Sequence, residues 1–333
     1  MIIFSIETSC DETACAVVEN GIEELSSCVS SSSELHKKTG GIVPEVAARK
    51  QVEYIIPVVK ECLEKYGRDP KTLNGLAVTI GPGLAGSLIV GVEAAKTLSF
   101  VWDKPLIPVN HLVGHIYGNF IGGNSIQFPA VVLVVSGGHT DLVLMRGHGD
   151  FEFLGGTVDD AAGEAFDKTA RLLGISKYLG GKKLSETASR CKKNILLKRL
   201  PRPMLNQDNF DFSFSGLKTA VKRLVEKEKY LVNVVACEFE NAVVDVLVAK
   251  TVKAIKKFSP KSVLLGGGVS ANTQLRTRMN LEAKKLGVAL HIPPPNLCTD
   301  NAVYIASAAF FNNNPSDISK ISINPSLGIM DST

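Results

Sequence analysis

His111 and His115 are the residues of this chain whose type and spacing first suggest chemistry. Two histidines four apart lie on one face of a helix, so both imidazoles can address a single metal ion. Asn110 just ahead of them is a good helix N-cap, and the Pro-rich run 105–109 before it is no helix. Ordinary packing or surface histidines share this spacing, so the pair alone leaves both readings open. Far along the chain, Asp300 stands where a helix over 302–311 begins. It serves there either as an N-cap or as an exposed oxygen ligand.

Three further stretches carry candidate chemistry. Glu7, Asp11 and Glu12 crowd a polar turn over 7–13, between short strands at 2–6 and 14–18. Such a turn is a solvated hairpin tip or a ligand loop. A second hairpin follows at 130–145, with Ser136, Gly137, Gly138, His139 and Thr140 at its tip. Gly137 and Gly138 offer bare N–H groups to a phosphate, or answer a turn that needs positive φ. A strand at 262–265 then enters Gly266-Gly267-Gly268-Val269-Ser270-Ala271-Asn272, the strand, glycine loop and helix start of many nucleotide sites. Two hairpins of one design, each opening half of the chain, suggest an internal duplication with a loop from each half meeting across a cleft.

The elements that must position these groups are legible in outline. Val52, Ile55, Ile56, Val59 and Leu63 mark an amphipathic helix over 46–65, which Pro57 should kink. A buried strand at 76–80 leads through Gly81-Pro82-Gly83 into a small-residue helix with Gly86 and Gly91. The serine run 30–33 with Gly40 and Gly41 reads as a surface connection. A helix over 158–173 carries Asp160, Glu164 and Asp167 along one face, and an acid so late in a helix as Asp167 is unfavourable without another purpose. Between Lys182 and Arg202 eight basic residues face one acid, Glu186. That run is a candidate nucleic-acid contact or a solvated surface. The string Asp211-Phe212-Ser213-Phe214-Ser215-Gly216-Leu217-Lys218 leads into a helix, and another helix covers 239–255.

The chain has 333 residues, 45% hydrophobic and 21% charged, with a formal net charge of +4. This is a globular composition that permits nucleic-acid binding without arguing for it. Seven cysteines with no CxxC pair read as thiols of a reducing compartment. No signal peptide or transmembrane run fits, so the expected location is cytoplasmic, with no membrane partner.

The stretches Glu7–Thr13, Asn110–His115, Val135–Thr140, Asp211–Lys218, Gly266–Asn272 and Thr299–Asn301 together resemble the tRNA threonylcarbamoyladenosine transferase family of the bacterial TsaD type. That family was formerly described as an O-sialoglycoprotein endopeptidase. The resemblance implies an α/β fold of the duplicated actin/Hsp70/sugar-kinase kind, two lobes with a nucleotide cleft between them. The lobes would span 1–108, with the tail 309–333 packing back on it, and 109–308, carrying the metal site. It implies a divalent metal, iron or zinc, on His111, His115 and Asp300. It implies an adenylate, threonylcarbamoyl-AMP, contacting Val134, Val135, Ser136, Gly137, Gly138, Asp167, Gly180 and Asn272. Its partners would be tRNA, a smaller paralogous TsaB-like subunit forming a heterodimer, and a TsaE-like P-loop ATPase. The chain departs from the family at Leu179, where a proline is usual, and at Leu184, where some relatives carry an acid that touches substrate. The turn should therefore be looser, and no contact is expected from 184.

The activity so implied is transfer of a threonylcarbamoyl group to N6 of the adenosine beside the anticodon of ANN-decoding tRNAs, with release of AMP. Asp11 and Glu12 are the candidate catalytic acids that would take up the amine proton. A small-molecule kinase on the same fold leaves the histidines without a purpose, and a nucleotide-gated scaffold is the non-enzymatic alternative. A metalloprotease is disfavoured, because His-Glu-x-x-His would need Glu where Leu112 stands.

Overall fold

The structure, a computed structural model, describes residues 1–191, 199–227 and 230–333. The first strands are β1 (Ile2–Glu7), β2 (Glu12–Glu19), β3 (Glu23–Ser31), β4 (Gly75–Gly81) and β5 (Leu106–Asn110). The later ones are β6 (Ala130–Val135), β7 (Thr140–Gly147), β8 (Asp150–Gly156), β9 (Ser262–Gly266) and β10 (Ala289–His291). The helices begin with α1 (Ser33–Thr39), α2 (Pro44–Tyr66), α3 (Ala85–Trp102), α4 (His111–Tyr117) and α5 (Ala162–Leu172). They continue with α6 (Gly180–Ser189), α7 (Ser215–Lys227), α8 (Val232–Phe258), α9 (Thr273–Leu286) and α10 (Val303–Asn312).

The chain divides into two compact units, Met1–Ile126 with Pro293–Thr333, and Gln127–Ile292. In the first, the sheet order is β3-β2-β1-β4-β5. The first three strands form an antiparallel meander, β4 runs parallel to β1, and β5 parallel to β4. Every residue of β4 and β5 is buried, the near-continuous burial expected of parallel strands covered on both faces. Phe4, Ile6, Val17, Val59, Leu76 and Val92 belong to the core of this unit.

The second unit repeats the plan. Its order is β10-β9-β6-β7-β8, again with a meander, then β9 parallel to β6 and β10 parallel to β9. Each strand of one sheet thus has a counterpart in the other, as the paired hairpins suggested. The core here gathers Val131, Leu133, Phe166, Phe239 and Leu247 with Phe212 and Phe214. The two phenylalanines of the string at 211–218 are therefore anchors that seat α7.

Several boundaries differ from those read off the sequence. The serine run is the end of β3 and the start of α1. Helix α5 starts at Ala162, which leaves Asp160 outside it, paired with Lys168 at 2.7 Å. The break between the halves was expected at 108, with the histidines in the second lobe. The structure keeps 109–126 and everything from Pro293 with the first unit. Serine side chains bonded to distant main-chain carbonyls explain why. Ser5 Oγ donates to Ala302 O at 2.6 Å, and Ser307 Oγ to Gly21 O at 2.6 Å, so α10 docks on the first hairpin. Helix α4 then packs on α10, and apolar periodicity carries no record of which sheet a helix will cover.

Gly114 lets α4 approach α10 closely. A Cβ there would lie 2.8 Å from both Tyr304 Cδ2 and Ile305 Cδ1. Gly114→Val should therefore destabilise the protein by about 1–3 kcal/mol, read as a lower denaturant midpoint.

Candidate metal centre and ligand loops

Strand β5 delivers the chain to Asn110, whose Oδ1 accepts the Leu112 N–H at 2.9 Å. The expected cap is present, and it makes His111 the first residue of α4. His111 and His115 stack edge to face, with ring centroids 4.6 Å apart, and the Tyr304 ring lies 4.8 Å from that of His115. Asp300 completes the group. Its Oδ1 lies 3.6 Å from Nε2 of His111 and 3.6 Å from Nε2 of His115. Asp300 is not the cap of α10. Asn301 Oδ1 accepts the Tyr304 N–H at 3.2 Å instead, and the Asp300 carboxylate faces the histidines.

The donor set fits a divalent ion. The three ligand atoms lie within 4.8 Å of one another, and two separations of 3.6 Å approach the ~3.4 Å between ligands of a tetrahedral ion held at ~2.1 Å. Two imidazoles and one carboxylate suit iron or zinc. A residue that the sequence placed in the polar turn, without a role at the metal, strengthens the fit. Glu7 Oε2 lies 3.0 Å from His111 Nδ1 and accepts from Thr79 Oγ1 at 2.6 Å, while Glu7 Oε1 accepts from Ser9 N–H at 2.5 Å. A carboxylate on the far nitrogen of a ligating histidine fixes its tautomer and aims the other nitrogen at the ion. Its signal was its place as the last residue of β1, two strands from the histidines in the sheet.

Charge in this site is unbalanced. Burial raises Asp300 to about 6 against the pull of His111, with Glu7 and Asp11 adding to the rise. Burial pushes Glu12 up to about 10, helped by Asp300 and Asp11. Burial would pull His111 down, yet Glu7 and Asp300 outweigh it and hold the imidazole at about 9. Glu7 is lowered because His111 outweighs its own burial. The structure thus brings Asp11 and Glu12 within electrostatic reach of the candidate metal ligands, from the other end of the sequence.

The remaining candidates lie in the second unit: Val134 to Gly138 at the C-terminal end of β6 and Asn272 beyond that of β9, the usual ligand edge of parallel strands, with Asp167 on α5 and Gly180 at the start of α6. Val134 and Val135 are fully buried strand residues that offer only backbone. The tip closes on itself, since Ser136 N–H donates to His139 O at 2.9 Å and Ser136 Oγ accepts from His139 N–H at 3.2 Å. Gly137 and Gly138 have no positive φ, and a Cβ on either would meet nothing within 4 Å. The positive-φ explanation of these two glycines therefore fails. Gly267 is different, with φ +87 and a Cβ position 2.4 Å from Val135 O.

Asp167 Oδ1 accepts the Gly181 N–H at 2.9 Å and so caps α6, which gives this late helical acid its purpose. Burial raises its pKa against that bond. Gly180 is buried, with its Cβ position 2.3 Å from Ala170 Cβ. Leu179 adopts φ 46, a left-handed conformation unusual for leucine, and Leu184 is fully buried, so 184 touches no ligand. Asn272 Nδ2 donates to Glu240 Oε1 at 2.7 Å and Ser185 Oγ at 2.9 Å, and its Oδ1 accepts the Leu275 N–H at 2.8 Å. Both its amide hydrogens are thus used by the fold. In the basic run, Lys192, Lys193 and Lys198 lie outside the described residues. Arg202 is engaged by Glu238 at 2.5 Å and Asp245 at 2.7 Å, a structural role.

The family model "TsaD: tRNA N6-adenosine threonylcarbamoyltransferase" matches residues 23–307. The chain belongs to this family. It is 49% identical to the tRNA N6-adenosine threonylcarbamoyltransferase of Thermomicrobium roseum, over 93% of this chain and 92% of that protein. The Bacillus subtilis enzyme of the same name is 49% identical, over 92% and 89%. Among solved structures, HypF from T. kodakarensis matches with a TM-score of 0.64 at 15% identity, over 93% of this chain and 47% of that one. Component A of the (R)-2-hydroxyglutaryl-CoA dehydratase of Acidaminococcus fermentans matches at 0.55 and 15%, over 93% and 98%. These two speak for the fold alone, which is the duplicated actin/Hsp70/sugar-kinase-like α/β fold. Among the described residues no helix is long and apolar enough to cross a membrane.

Metal affinity should rise with pH between about 6 and about 9, because Asp300 and His111 must surrender protons to bind an ion. Glu7→Gln should weaken binding roughly 10–100-fold and move the upper limb of that dependence to lower pH. Competition with a chromogenic chelator across this range measures both.

Proposed function

We propose that the chain transfers the threonylcarbamoyl group of threonylcarbamoyl-AMP to N6 of the adenosine beside the anticodon of ANN-decoding tRNAs, releasing AMP. One observation carries this reading. Residues 7–12, 111–115 and 300 converge on one cluster of acids and histidines, in a chain about half identical to enzymes named for that activity. His111, His115 and Asp300 are assigned to the metal, iron or zinc. When bound there, it would polarise the carbamoyl carbonyl as a Lewis acid. Ser136, Gly137 and Gly138 are assigned to the phosphate, chiefly through the open backbone of the two glycines. Val134, Val135, Asp167, Gly180 and Asn272 support the adenylate, through backbone or by holding the helix starts around it.

The exocyclic amine attacks the carbamoyl carbon, the bond to the phosphate oxygen breaks, and AMP leaves with the electron pair. The amine must also lose a proton, and we assign Asp11 and Glu12 to take it, Glu12 only once a bound cation offsets the surroundings that hold its carboxyl protonated. A protease reading lacks its base, since Leu112 is a buried apolar residue. The chain is assigned a TsaB-like paralogous subunit and a TsaE-like P-loop ATPase as working partners.

The test supplies threonylcarbamoyl-AMP, unmodified tRNA and both partners, and looks for the modified nucleoside by mass spectrometry. No product with active partners present would refute the assignment. Asp11→Ala and Glu12→Ala should each lower turnover by about 10²-fold with substrate still bound, and wild-type turnover would remove these residues from the mechanism. Gly137→Ala should keep or slightly raise thermal stability while weakening adenylate binding, which calorimetry and a thermal melt separate.

A further inference from the structure

The turn that presents Asp11 and Glu12 is held from outside by a single side chain on α2. Gln51 is 1% exposed, the one polar residue among those α2 buries in full or nearly so. Its Nε2 lies 2.9 Å from Cys10 O, 3.0 Å from Glu12 O and 3.3 Å from Thr8 O. Three carbonyls leave no doubt which way the amide points, because its oxygen could not face them. That oxygen has no partner among the described residues.

The alternate carbonyls 9 and 11 are taken from other directions. Ser9 O accepts the Leu84 N–H at 2.8 Å, and Asp11 O accepts from Ser32, N–H at 2.9 Å and Oγ at 3.1 Å. Every backbone oxygen from 8 to 12 is thereby tied to a neighbouring element. Its tied carbonyls restrain the turn, whose Asp11 and Glu12 carboxyls interact electrostatically with Asp300. Gln51 reaches three of those five oxygens with its two amide hydrogens, although it touches neither carboxyl.

We propose that Gln51 is a positioning residue, whose side-chain amide holds the Thr8–Glu12 turn in the one conformation that aims Asp11 and Glu12 at the reacting amine. This rests on the assignment of Asp11 and Glu12 above. A side chain of equal length without a donor removes the ties and leaves the metal ligands untouched. Turnover then falls because the acids are no longer held in reach, and misplacement of a catalytic group by about 1 Å can cost 10²-fold.

The test compares wild type with Gln51→Met and Gln51→Glu in the full chain with its partners. Three readouts are taken: hydrogen exchange of amides 8–13, metal content, and kcat against KM. The expected result for Gln51→Met is faster exchange confined to the turn, with unchanged metal content. Its kcat should fall roughly 10–100-fold with KM held within about twofold. Should Gln51→Met fail to fold, Gln51→Glu, nearly identical in shape, decides. Its ionised carboxylate repels the carbonyls, whereas its protonated form donates one bond, so activity relative to wild type should recover as pH falls.

Wild-type exchange in the turn of Gln51→Met, or a Gln51→Glu protein whose relative activity does not depend on pH, would overturn the proposal. So would a loosened turn with wild-type kcat. A wild type that makes no modified nucleoside refutes the functional assignment instead. The exchange measurement needs no activity and still judges whether Gln51 holds the turn.

Discussion

Four carboxyl groups, those of the buried Glu7 and Asp11 and the partly buried Glu12 and Asp300, interact through their charges with one another and with His111. Such a concentration of like charge opposes folding unless protons or a cation compensate it. The raised values of Asp300 and Glu12, and the high value of His111, are the ion-free answer to that constraint. A divalent ion is the other answer. The features of the first unit that looked unrelated follow from it. Glu7 closes β1 so that its carboxylate meets His111, Asn110 starts α4 at the first histidine, and Asn301 caps α10 in place of Asp300.

The packing around this cluster is correspondingly close. Gly83 comes so near the first turn that a Cβ would sit 2.4 Å from Ser9 O, and Gly91 so near that a Cβ would sit 2.2 Å from Thr8 Oγ1. Side chains at either place would push the turn off the sheet. The second unit uses glycine in two ways. Gly267 and Gly163 are required by close approach of backbone, with Cβ positions 2.4 Å from Val135 O and 2.5 Å from Ser136 O. Gly137 and Gly138 meet no such demand, and open backbone at a strand end is what a phosphate needs.

Much of this was legible in the residues themselves. The hairpin pair, the strands, the cap at Asn110 and the order of motifs are local matters of propensity and periodicity, and they led to the right fold and family. Other features were illegible for physical reasons. Asp167 looked misplaced because its partner, the N–H of Gly181, belongs to the next helix. Nothing marked Gln51, because its three acceptors lie about forty residues away. Arg202 looked like part of a basic surface because Glu238 and Asp245 sit on a helix that sequence cannot bring to it.

The sequence by itself determined the elements and the donor chemistry. Side-chain period, capping residues and glycine loops act over a few residues, so they can be read without coordinates. It also determined the candidate ligands His111 and His115, because a helix sets the relation between positions four apart. Only the tertiary structure decided that Asp300, Glu7, Asp11 and Glu12 share their surroundings, that α10 returns to the first sheet, and that Asn301 frees Asp300 from capping. Those facts depend on which buried surfaces match, Gly114 against Tyr304 above all. Complementarity between surfaces far apart in sequence leaves no local pattern to read.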